Sequence, residues 1–570
     1  MPHSPLPPGP AFRRDRMLLR LEAEPFDVLV VGAGITGAGV ALDAATRGLR
    51  TALIERDDFA SGTSSKSSKL VHGGLRYLKD DPRLVREALR ERHRLQRNAP
   101  HLVRVLPFML PVLSGSSKDG AALVPRKVAR ALGSLMWMYD AAGGWRIGKL
   151  HKRLRANAAL AHMPTLRSKR LAGAYVYYDA AADDARVVLT VCRTAAQHGA
   201  VVANGCSVVQ FVHDANGKVA GAVVEADGRR ITVAAKAVVN AAGVWADDVR
   251  ALDEGAHPHS IRPAKGVHIT IPWHKVRNDI AVIIPVPKDK RSLFVVPWGP
   301  LPDGTFQHSY VGTTDTDYDG PLTDPQCTGD DIQYILRALN ASIDTEVAAD
   351  DITGVWAGLR PLVKAASSVR TADLSRHHAL HVSASGMISI TGGKLTTYRE
   401  MAEETVDAVV TTLGTKARCR TRRLPLLGAG TPAAPARSGA AGTPAAHLAG
   451  RYGTLAADVQ ALVDADPTLG QPLVPGLPYL RAEAVHAARH EMARTLDDVL
   501  TRRTRARLHD RAATLAAASA VAQLLAPELG WSAEQTAQQL AHFSTQCIAE
   551  IVAAITDASP TNPASEAGIA

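Results

Sequence analysis

FDVLVVGAGITGAGVALDAATRGLRTALIERDD, residues 26–58, has the pattern of a strand, a tight glycine-rich turn, a helix and a second strand. In its GxGxxG turn, Gly32 permits the tight bend, Gly34 lets the backbone approach a pyrophosphate, and Gly37 lets the helix pack close to the strand. The second strand ends at Glu55, whose carboxylate can accept hydrogen bonds from a ribose diol. The stretch therefore predicts a Rossmann-type unit that binds a dinucleotide at the N-terminus of its helix, and it does not distinguish NAD from FAD.

The composition is that of a globular protein with several domains. The chain has 570 residues, of which 46% are hydrophobic and 21% are charged, and this length suggests two or three domains. Its formal net charge of +11 favours anionic partners, namely phosphorylated substrates, acidic lipid surfaces or nucleic acid. The five cysteines are widely spaced without a CxxC pair, so we expect neither a disulfide framework nor a zinc site, as in a reducing cytosolic setting.

The N-terminus and the apolar segments bear on membrane attachment. Residues 1–24 form a Pro- and Arg-rich tail that is expected to be disordered. The acidic Glu22, Glu24 and Asp27 interrupt the approach to the first apolar stretch, so we do not expect a signal peptide. We find no apolar run of roughly 18 residues, so membrane attachment is expected to be peripheral.

Local patterns predict further elements between residues 82 and 240. Residues 82–98 have the pattern of a charged helix that begins at its proline. A second helix is predicted near 184–198. Asn216-Gly217 and Asp227-Gly228 are hairpin-type turns, so strands are expected on either side of them.

The second half of the chain divides into three regions. The β-rich runs between 261 and 360 predict a separate antiparallel sheet. Residues 428–446, GAGTPAAPARSGAAGTPAA, are nearly uncharged and predict a linker. Residues 480–556 are almost wholly helical in pattern, which predicts a C-terminal helical domain.

The loop after Glu55, SGTSSKSSKLVHGGLRY at residues 61–77, is dense in hydroxyl groups and glycine. It resembles the flavin-contacting loop of the FAD-dependent glycerol-3-phosphate dehydrogenases, whose pattern is close to SSKLIHGGLRYL. Further motifs of that family occur in order: NAAGVW (240–245), KGVH (265–268), GTTD (312–315), GLRP (358–361), GGKLTTY (392–398) and LDDVLTRRTR (496–505). The first of these resembles the family's NATGPW pattern, from which Ala242 and Val244 depart.

The resemblance covers about residues 24–556 and places the chain in the D-amino-acid-oxidase-like flavoprotein superfamily. It implies an α/β FAD-binding Rossmann-type domain with an inserted antiparallel-sheet substrate domain (α+β) and a C-terminal all-α domain. The implied boundaries are an FAD-binding domain at 25–100, 180–260 and 362–425, a substrate-binding cap at 101–179 and 261–361, a linker at 426–446, a helical domain at 447–556, and disordered tails at 1–24 and 557–570.

The family's activity would be oxidation of sn-glycerol 3-phosphate to dihydroxyacetone phosphate, with hydride moving from C2 to flavin N5. The resemblance also implies that electrons pass to a membrane quinone, and that the protein is cytoplasmic and peripheral on the inner face of the cytoplasmic membrane. A homodimer is left open by the sequence.

FAD is the cofactor that the resemblance implies, and the motifs assign many of its contacts. Gly73, Gly74, Gly392 and Gly393 lack side chains, so the backbone could lie flat against the flavin ring. A helix beginning near Lys394 would turn its N–H groups toward the flavin edge that becomes negative on reduction. The predicted cofactor-binding residues are Gly32, Gly34, Ile35, Thr36, Gly37, Glu55, Arg56, Thr63, Ser64, Ser67, Lys69, Leu70, His72, Gly73, Gly74, Leu75, Ala242, Gly243, Trp245, Gly392, Gly393, Lys394, Leu395 and Thr396.

The substrate's phosphate calls for several cations, and arginine binds phosphate best because its fork is bidentate. A general base must take the proton of the C2 hydroxyl, and His268 is preferred over His72, which is more suited to orienting the flavin. Lys394 is an alternative base. The predicted catalytic residues are His268, Lys394 and Arg360, and the predicted substrate-binding residues are Arg76, Tyr77, Arg360, Arg376, Lys394 and Thr397.

Residues 122–155 combine basic residues with Leu135, Met136, Trp137, Met138 and Trp145. This combination is typical of an interfacial anchor on an anionic membrane surface, but a buried helix with a basic rim has the same composition. Three other functions remain open from the sequence: a flavin oxidase that uses O2, a flavoprotein that binds RNA, and a structural protein with an inactive Rossmann domain. The low aromatic content argues against nucleic acid as a partner.

Overall fold

The computed structural model describes residues 12–113, 126–287, 289, 291–363, 377–430 and 442–555. It contains two mixed β-sheets and a C-terminal set of helices, which confirms the predicted fold class.

The strands, numbered in chain order, are β1 (Phe26–Val31), β2 (Thr51–Ile54), β3 (Leu70–Val71), β4 (Val103–Leu113), β5 (Lys152–Leu154), β6 (Leu171–Ala182), β7 (Val201–Ala203), β8 (Ser207–His213), β9 (Val219–Ala226), β10 (Arg229–Asn240), β11 (Ile261–Pro272), β12 (Ala281–Pro285), β13 (Ser292–Pro300), β14 (Phe306–Gly312), β15 (Thr316–Asp317), β16 (Gly354–Val363), β17 (His378–Val382) and β18 (Ile388–Gly392).

The α-helices are α1 (Arg14–Ala23), α2 (Ile35–Thr46), α3 (Pro82–Asn98), α4 (Arg126–Ala142), α5 (Ala156–His162), α6 (Asp184–Gln197), α7 (Ala246–Glu254), α8 (Gly329–Ser342), α9 (Tyr398–Thr412), α10 (Pro444–Tyr452), α11 (Ala456–Ala465), α12 (Arg481–His490), α13 (Ala506–His509), α14 (Arg511–Leu529) and α15 (Ala533–Ile555). A π-helical segment, Asp498–Arg503, precedes α13.

The first sheet has the strand order β17-β18-β10-β1-β2-β7, and the strands from β18 to β7 run parallel. The hairpin of β8 and β9 extends from β10, with the predicted turns at Asn216-Gly217 and Asp227-Gly228. α2 packs closely on the sheet because Gly37 has no side chain: a Cβ there would lie 1.8 Å from the carbonyl oxygen of Gly32. The predicted βαβ unit is therefore present.

The N-terminal segment differs from the expectation of a disordered tail. α1 buries Met17, Leu18 and Leu21 in the core of the first sheet. Arg14 also donates a 2.7 Å hydrogen bond to the backbone carbonyl of Asn204. The Pro- and Arg-rich composition did not indicate this helix, in which Met17, Leu18 and Leu21 are buried while Leu19 is exposed. Residues 1–11 lie outside the described part of the chain.

The second sheet has the order β15-β11-β14-β13-β12-β4-β6-β3, with β16 beside β11 and β5 beside β6. It contains the antiparallel strands predicted between 261 and 360. One face packs on α8 in an apolar core, and the other carries His268, Tyr310 and Trp356. Because β3 lies within the loop 61–77, this loop joins the first sheet to the aromatic face of the second.

The C-terminal helices form a core of their own. The helix α10 begins at Pro444 with Thr443 as its cap, inside the segment predicted as a linker, whose residues 431–441 lie outside the described part. Within the described chain, α14 alone has the length and mean hydropathy (1.3) to cross a membrane. Its polar Thr514 and Gln523 interrupt the apolar run, and its buried side packs into the helical domain.

Buried ion pairs attach this helical domain to the first sheet's domain. Arg503 donates to both oxygens of Asp58, each at 2.7 Å, and Arg502 also bonds to Asp58. Glu491 pairs with Arg186 of α6. The motif LDDVLTRRTR thus supplies the charges of a domain interface.

These buried carboxylates predict sensitivity to acid. Burial opposes ionisation of Asp183, Asp497 and Glu491, but neighbouring arginines outweigh it and hold the pKa of each carboxyl below its ordinary value. A carboxyl with a lowered folded pKa stabilises the fold above its unfolded pKa of about 4, and this stabilisation is lost as the pH falls through the folded pKa. We expect the urea midpoint, followed by circular dichroism, to hold above about pH 5 and to fall below about pH 4. A constant midpoint down to about pH 2 would contradict this.

Candidate active site

A cleft enclosing about 1450 Å³, part of it open to solvent, lies at the carboxyl ends of β1, β2, β10 and β18. This is where open α/β sheets bind their ligands. Sixteen predicted cofactor-binding residues line it: Gly32, Gly34, Ile35, Thr36, Glu55, Arg56, Thr63, Ser64, Ser67, Ala242, Gly243, Trp245, Gly392, Gly393, Lys394 and Leu395.

The turn after β1 has the geometry that its glycines predict. Gly32 has a φ of 99°, and a Cβ there would lie 2.8 Å from the carbonyl oxygen of Ala241. The backbone N–H of Ile35 donates to Ser64 Oγ at 2.9 Å, which ties the start of α2 to the loop 61–77. The start of α2 therefore lines the cleft, where its N–H groups can receive an anionic ligand.

Glu55 lies at the end of β2, beside this turn. Its Oε2 accepts a 2.7 Å hydrogen bond from the N–H of Ala33, and its Oε1 accepts one from Asp57. Burial raises the pKa of the Glu55 carboxyl to about 7, although both backbone N–H groups favour the ionised form. The two backbone N–H groups hold the carboxyl at the lining of the cleft, where a ribose acceptor is expected.

Eight predicted cofactor residues are not among those that line the cleft. Gly37 packs behind the turn, and Gly73 lies against Leu89 and Tyr139, where a Cβ would clash at 2.4 and 2.5 Å. Lys69 pairs with buried Asp184 at 3.2 Å. The remaining members of this set are Leu70, His72, Gly74, Leu75 and Thr396.

The loop 61–77 and the turn 392–398 meet. The N–H of His72 donates to Thr396 Oγ1 at 3.2 Å, and Lys394 Nζ lies 4.6 Å from the ring centroid of Tyr77. Burial, followed by the charges of Lys394 and Arg76, lowers the pKa of His72 to about 3. His72 is therefore neutral, which suits an orienting role.

The helix expected near Lys394 begins later. Gly392 and Gly393 adopt φ values of 78° and 76°, and Lys394 is extended, so a short 3₁₀ turn at Leu395–Thr397 comes first and α9 begins at Tyr398. Thr397 is buried and its Oγ1 donates to the backbone carbonyl of Lys394 at 3.3 Å. It holds the turn in place, and the structure shows no contact between Thr397 and the cleft.

Two groups of predicted cations are present. Arg76 lies over the ring of Tyr77, 4.7 Å from its centroid, and donates to its hydroxyl; with Lys394 they form what we call the cation cluster. Arg360 of β16 bonds instead to Asp315 and Thr313, at 3.1 and 3.2 Å. Arg376 lies outside the described residues.

His268 is enclosed on the aromatic face of the second sheet. Its ring stacks on Trp356, with centroids 4.8 Å apart, and its Nε2 lies 2.9 Å from Ser68 Oγ. Its Nδ1 is buried and has no hydrogen-bond partner among the described residues. Burial, followed by the charges of Lys69 and Arg360, holds the pKa of His268 well below its ordinary value. The imidazole is neutral, as a proton acceptor must be.

The C-terminal domain supports the loop 61–77 directly. Arg505 pairs with Asp184 and donates to the carbonyl of Ser65 at 3.4 Å. Asp184 accepts from the N–H and hydroxyl of Ser67, at 3.0 and 2.7 Å. The family motif 496–505 therefore positions the loop 61–77.

The comparisons with known proteins agree with this geometry. Residues 27–399 match the family described as FAD dependent oxidoreductase. The chain belongs to this family. Residues 419–536 match the C-terminal domain of alpha-glycerophosphate oxidase.

Among the relatives of this FAD-dependent oxidoreductase is glycerol-3-phosphate dehydrogenase 2 of Mycobacterium tuberculosis (strain ATCC 25618 / H37Rv), 40% identical over 557 residues, which cover 95% of this chain and 92% of the relative. The mitochondrial glycerol-3-phosphate dehydrogenase of Homo sapiens is 37% identical, covering 93% of this chain and 74% of the relative. The glycerol-3-phosphate dehydrogenase of Bacillus halodurans, solved with FAD, has a TM-score of 0.76 and 31% identity, covering 96% of this chain and 99% of that one. The predicted resemblance is confirmed, and the cofactor is FAD.

Several cleft-lining residues escaped the sequence analysis. Ser61 and Gly62 open the recognised loop 61–77 but were not among the predicted contacts, and Cys206, Ser207 and Val208 follow β7. The last three reach the cleft because β7 pairs with β2, and that pairing has no signal in the local sequence. The one signal in the sequence is their position immediately after a predicted strand, where α/β sheets bind ligands.

We predict that Gly34→Val abolishes FAD binding. A side chain there would enter the cleft beside Ser64 Oγ, which would lie 3.1 Å from its Cβ, and would block the approach of backbone to pyrophosphate. The flavin-to-protein absorbance ratio of purified variant measures the effect. Gly450→Val is the control, because a Cβ there has no atom within 4 Å. Normal flavin content in Gly34→Val would refute the assignment.

Proposed function

We propose that this flavoprotein oxidises sn-glycerol 3-phosphate to dihydroxyacetone phosphate, by hydride transfer from C2 of the substrate to N5 of FAD, and passes the electrons to a membrane quinone. The observation that carries the proposal is the cation cluster of Arg76, Tyr77 and Lys394, which adjoins the cleft at Gly392–Leu395. The names of the curated relatives support the same substrate.

The cation cluster gives the phosphate its binding site. Arg76 supplies a planar fork, Lys394 a point charge, and the hydroxyl of Tyr77 a further polar partner. Arg360 would contribute a further charge, oriented by Asp315 and Thr313. Arg376 keeps its predicted role as a substrate ligand.

FAD, when bound, supplies the two-electron acceptor. The residues of the chain fix the phosphate end of the substrate and so present C2 to the cleft. We assign the proton of the C2 hydroxyl to His268, whose ring is neutral and whose Nε2 lies 2.9 Å from Ser68 Oγ.

We predict that His268→Ala lowers kcat by about 10²–10⁴-fold with little change in flavin content, because a general base contributes that much. Stopped-flow reduction of the flavin under anaerobic conditions isolates the step. His274→Ala is the control, since its ring is exposed. Unchanged flavin reduction in His268→Ala would assign the proton to another group, with Lys394 the alternative.

One spectroscopic experiment tests cofactor and substrate together. Visible spectra of the purified protein are recorded before and after anaerobic addition of glycerol 3-phosphate. Bleaching of the flavin band supports the proposed reaction. A flavin band that glycerol 3-phosphate leaves unchanged would overturn the substrate assignment.

The quinone acceptor requires attachment to a membrane, and α4 and the following turn offer the surface. Met136 is buried, whereas Trp137, Met138, Trp145 and Leu150 are each roughly half exposed. Exposed tryptophan beside basic residues suits the interface of an anionic bilayer. With a membrane quinone as the acceptor, we propose that the protein is peripheral on the inner face of the cytoplasmic membrane.

The acceptor and the attachment have separate tests. Flotation with anionic vesicles should carry the wild type and lose the Trp137→Ser/Trp145→Ser variant. Reduction of a soluble quinone without peroxide supports the dehydrogenase. Stoichiometric peroxide from O2 would support the oxidase, which the name of the C-terminal family also allows.

A further inference from the structure

A second cleft, which encloses about 940 Å³ and is partly open to solvent, lies between α3 and the segment after α9, and all its lining residues are basic. We call it the arginine cleft. It is lined by Arg90, His93, Arg94, Arg97, Arg420, Arg422 and Arg423. None of these residues belongs to the cofactor cleft or to the cation cluster.

Three arginines of the arginine cleft have carboxylate partners. Arg90 bonds to Glu400 and Arg422 to Glu403, each at 2.7 Å, and Arg94 pairs with Glu91. Glu91 and Glu403 are already shared, because buried Arg399 bonds to both at 2.7 Å. These carboxylates therefore offset less charge than their number suggests.

The other three arginines have no carboxylate partner among the described residues. Arg97 donates to the backbone carbonyl of Arg422 at 2.8 Å, and Arg420 and Arg423 are exposed at the rim. Burial, followed by the charges of Arg97 and Arg146, lowers the pKa of His93 below its ordinary value. The cleft thus concentrates positive charge that a bound anion would relieve.

We propose that the arginine cleft binds an anion that carries two or more phosphate groups. Six arginines line this one cleft, more than a single phosphate can engage, and the planar fork of arginine matches phosphate oxygens. The phosphates could belong to a soluble polyphosphate or to the headgroups of anionic phospholipid. This inference is independent of the proposed substrate.

The test uses the FAD-loaded protein and inorganic tripolyphosphate, measured by isothermal titration calorimetry. Wild type should bind with an affinity that falls with salt. The variant R97Q/R420Q/R423Q should bind at least about tenfold more weakly, because it loses charge-assisted hydrogen bonds. Its KM for glycerol 3-phosphate should stay at the wild-type value.

Two controls separate this site from net charge and from the cation cluster. K169Q/R229Q/R230Q removes the same charge from exposed positions that show no ion pair in the described chain, and should bind like wild type. Arg76→Gln should also keep its tripolyphosphate binding. Equal loss in both triple variants, or loss in Arg76→Gln alone, would overturn the proposal.

Vesicles distinguish the sources of phosphate. Flotation is compared on phosphatidylcholine vesicles with and without cardiolipin, in the absence and presence of tripolyphosphate. Cardiolipin binding that R97Q/R420Q/R423Q weakens and tripolyphosphate displaces assigns the cleft to lipid headgroups. Tripolyphosphate binding without a cardiolipin effect assigns it to a soluble polyphosphate, and saturable binding of neither probe would refute the site.

Discussion

Arg503→Met should lower the free energy of unfolding by about 3–5 kcal/mol, because it leaves buried Asp58 with an incomplete set of partners. The Arg503 side chain is 2% exposed, and its two terminal nitrogens bond to the two oxygens of Asp58. Its Nη2 also donates to the backbone carbonyl of Glu491 at 2.8 Å. Burial alone would raise the pKa of Asp58, and the charges of Arg503 and Arg502 hold it below its ordinary value.

Urea unfolding followed by circular dichroism and by flavin fluorescence measures this change. Arg505 of the same motif supports the loop 61–77. The unfolding midpoints from circular dichroism and from flavin fluorescence should therefore shift together. Arg13→Met is the matched control: its partner Asp15 is exposed, so its effect should stay within about 0.5 kcal/mol. The double variant Asp58→Leu/Arg503→Met should recover part of the loss, since it leaves no unpaired carboxylate. A wild-type midpoint in Arg503→Met would exclude the interface role.

Much of the fold follows from signals that are local in the sequence. The GxGxxG turn, the proline at the start of α3 and the two hairpin turns each predict a short piece of backbone, and each is found. α1 was missed because its few apolar residues are embedded in a charged segment, and they become informative only against the core that they cover. Composition cannot report a partner surface that lies far away in the chain.

The site also contains residues that the local sequence predicts and residues that only the folded chain shows. Residues that touch the cleft through backbone geometry, such as Gly32 and Gly392, were predictable because only glycine fits a close approach or a positive φ. The contribution of Asp184 to the site was not predictable. It bonds to Ser67, Lys69 and Arg505, which come from distant parts of the chain, so only the folded chain shows that it supports the loop.

Lys394→Met should lower kcat/KM for glycerol 3-phosphate by about 10²–10³-fold while FAD stays bound. The variant removes the point charge that lies above Tyr77 beside Arg76, and a charge-assisted contact in a preorganised site is worth about that factor. FAD should stay because most of its predicted contacts are backbone groups of turns that do not involve this side chain.

Whether kcat/KM falls through KM or through kcat distinguishes two roles for Lys394. If it only binds phosphate, KM rises and kcat changes little, whereas a role at the reacting end lowers kcat as well. Lys149→Met is the matched control, because Lys149 also lies over a tyrosine ring, 5.4 Å from the centroid of Tyr178, and should keep wild-type kinetics with a soluble acceptor. Inorganic phosphite, added with a phosphate-free diol such as propane-1,2-diol in place of glycerol 3-phosphate, should raise the rate of flavin reduction in wild type more than in Lys394→Met. If both kinetic constants of Lys394→Met matched wild type, the cation cluster would not be the phosphate site, and the proposed substrate would lose its structural support.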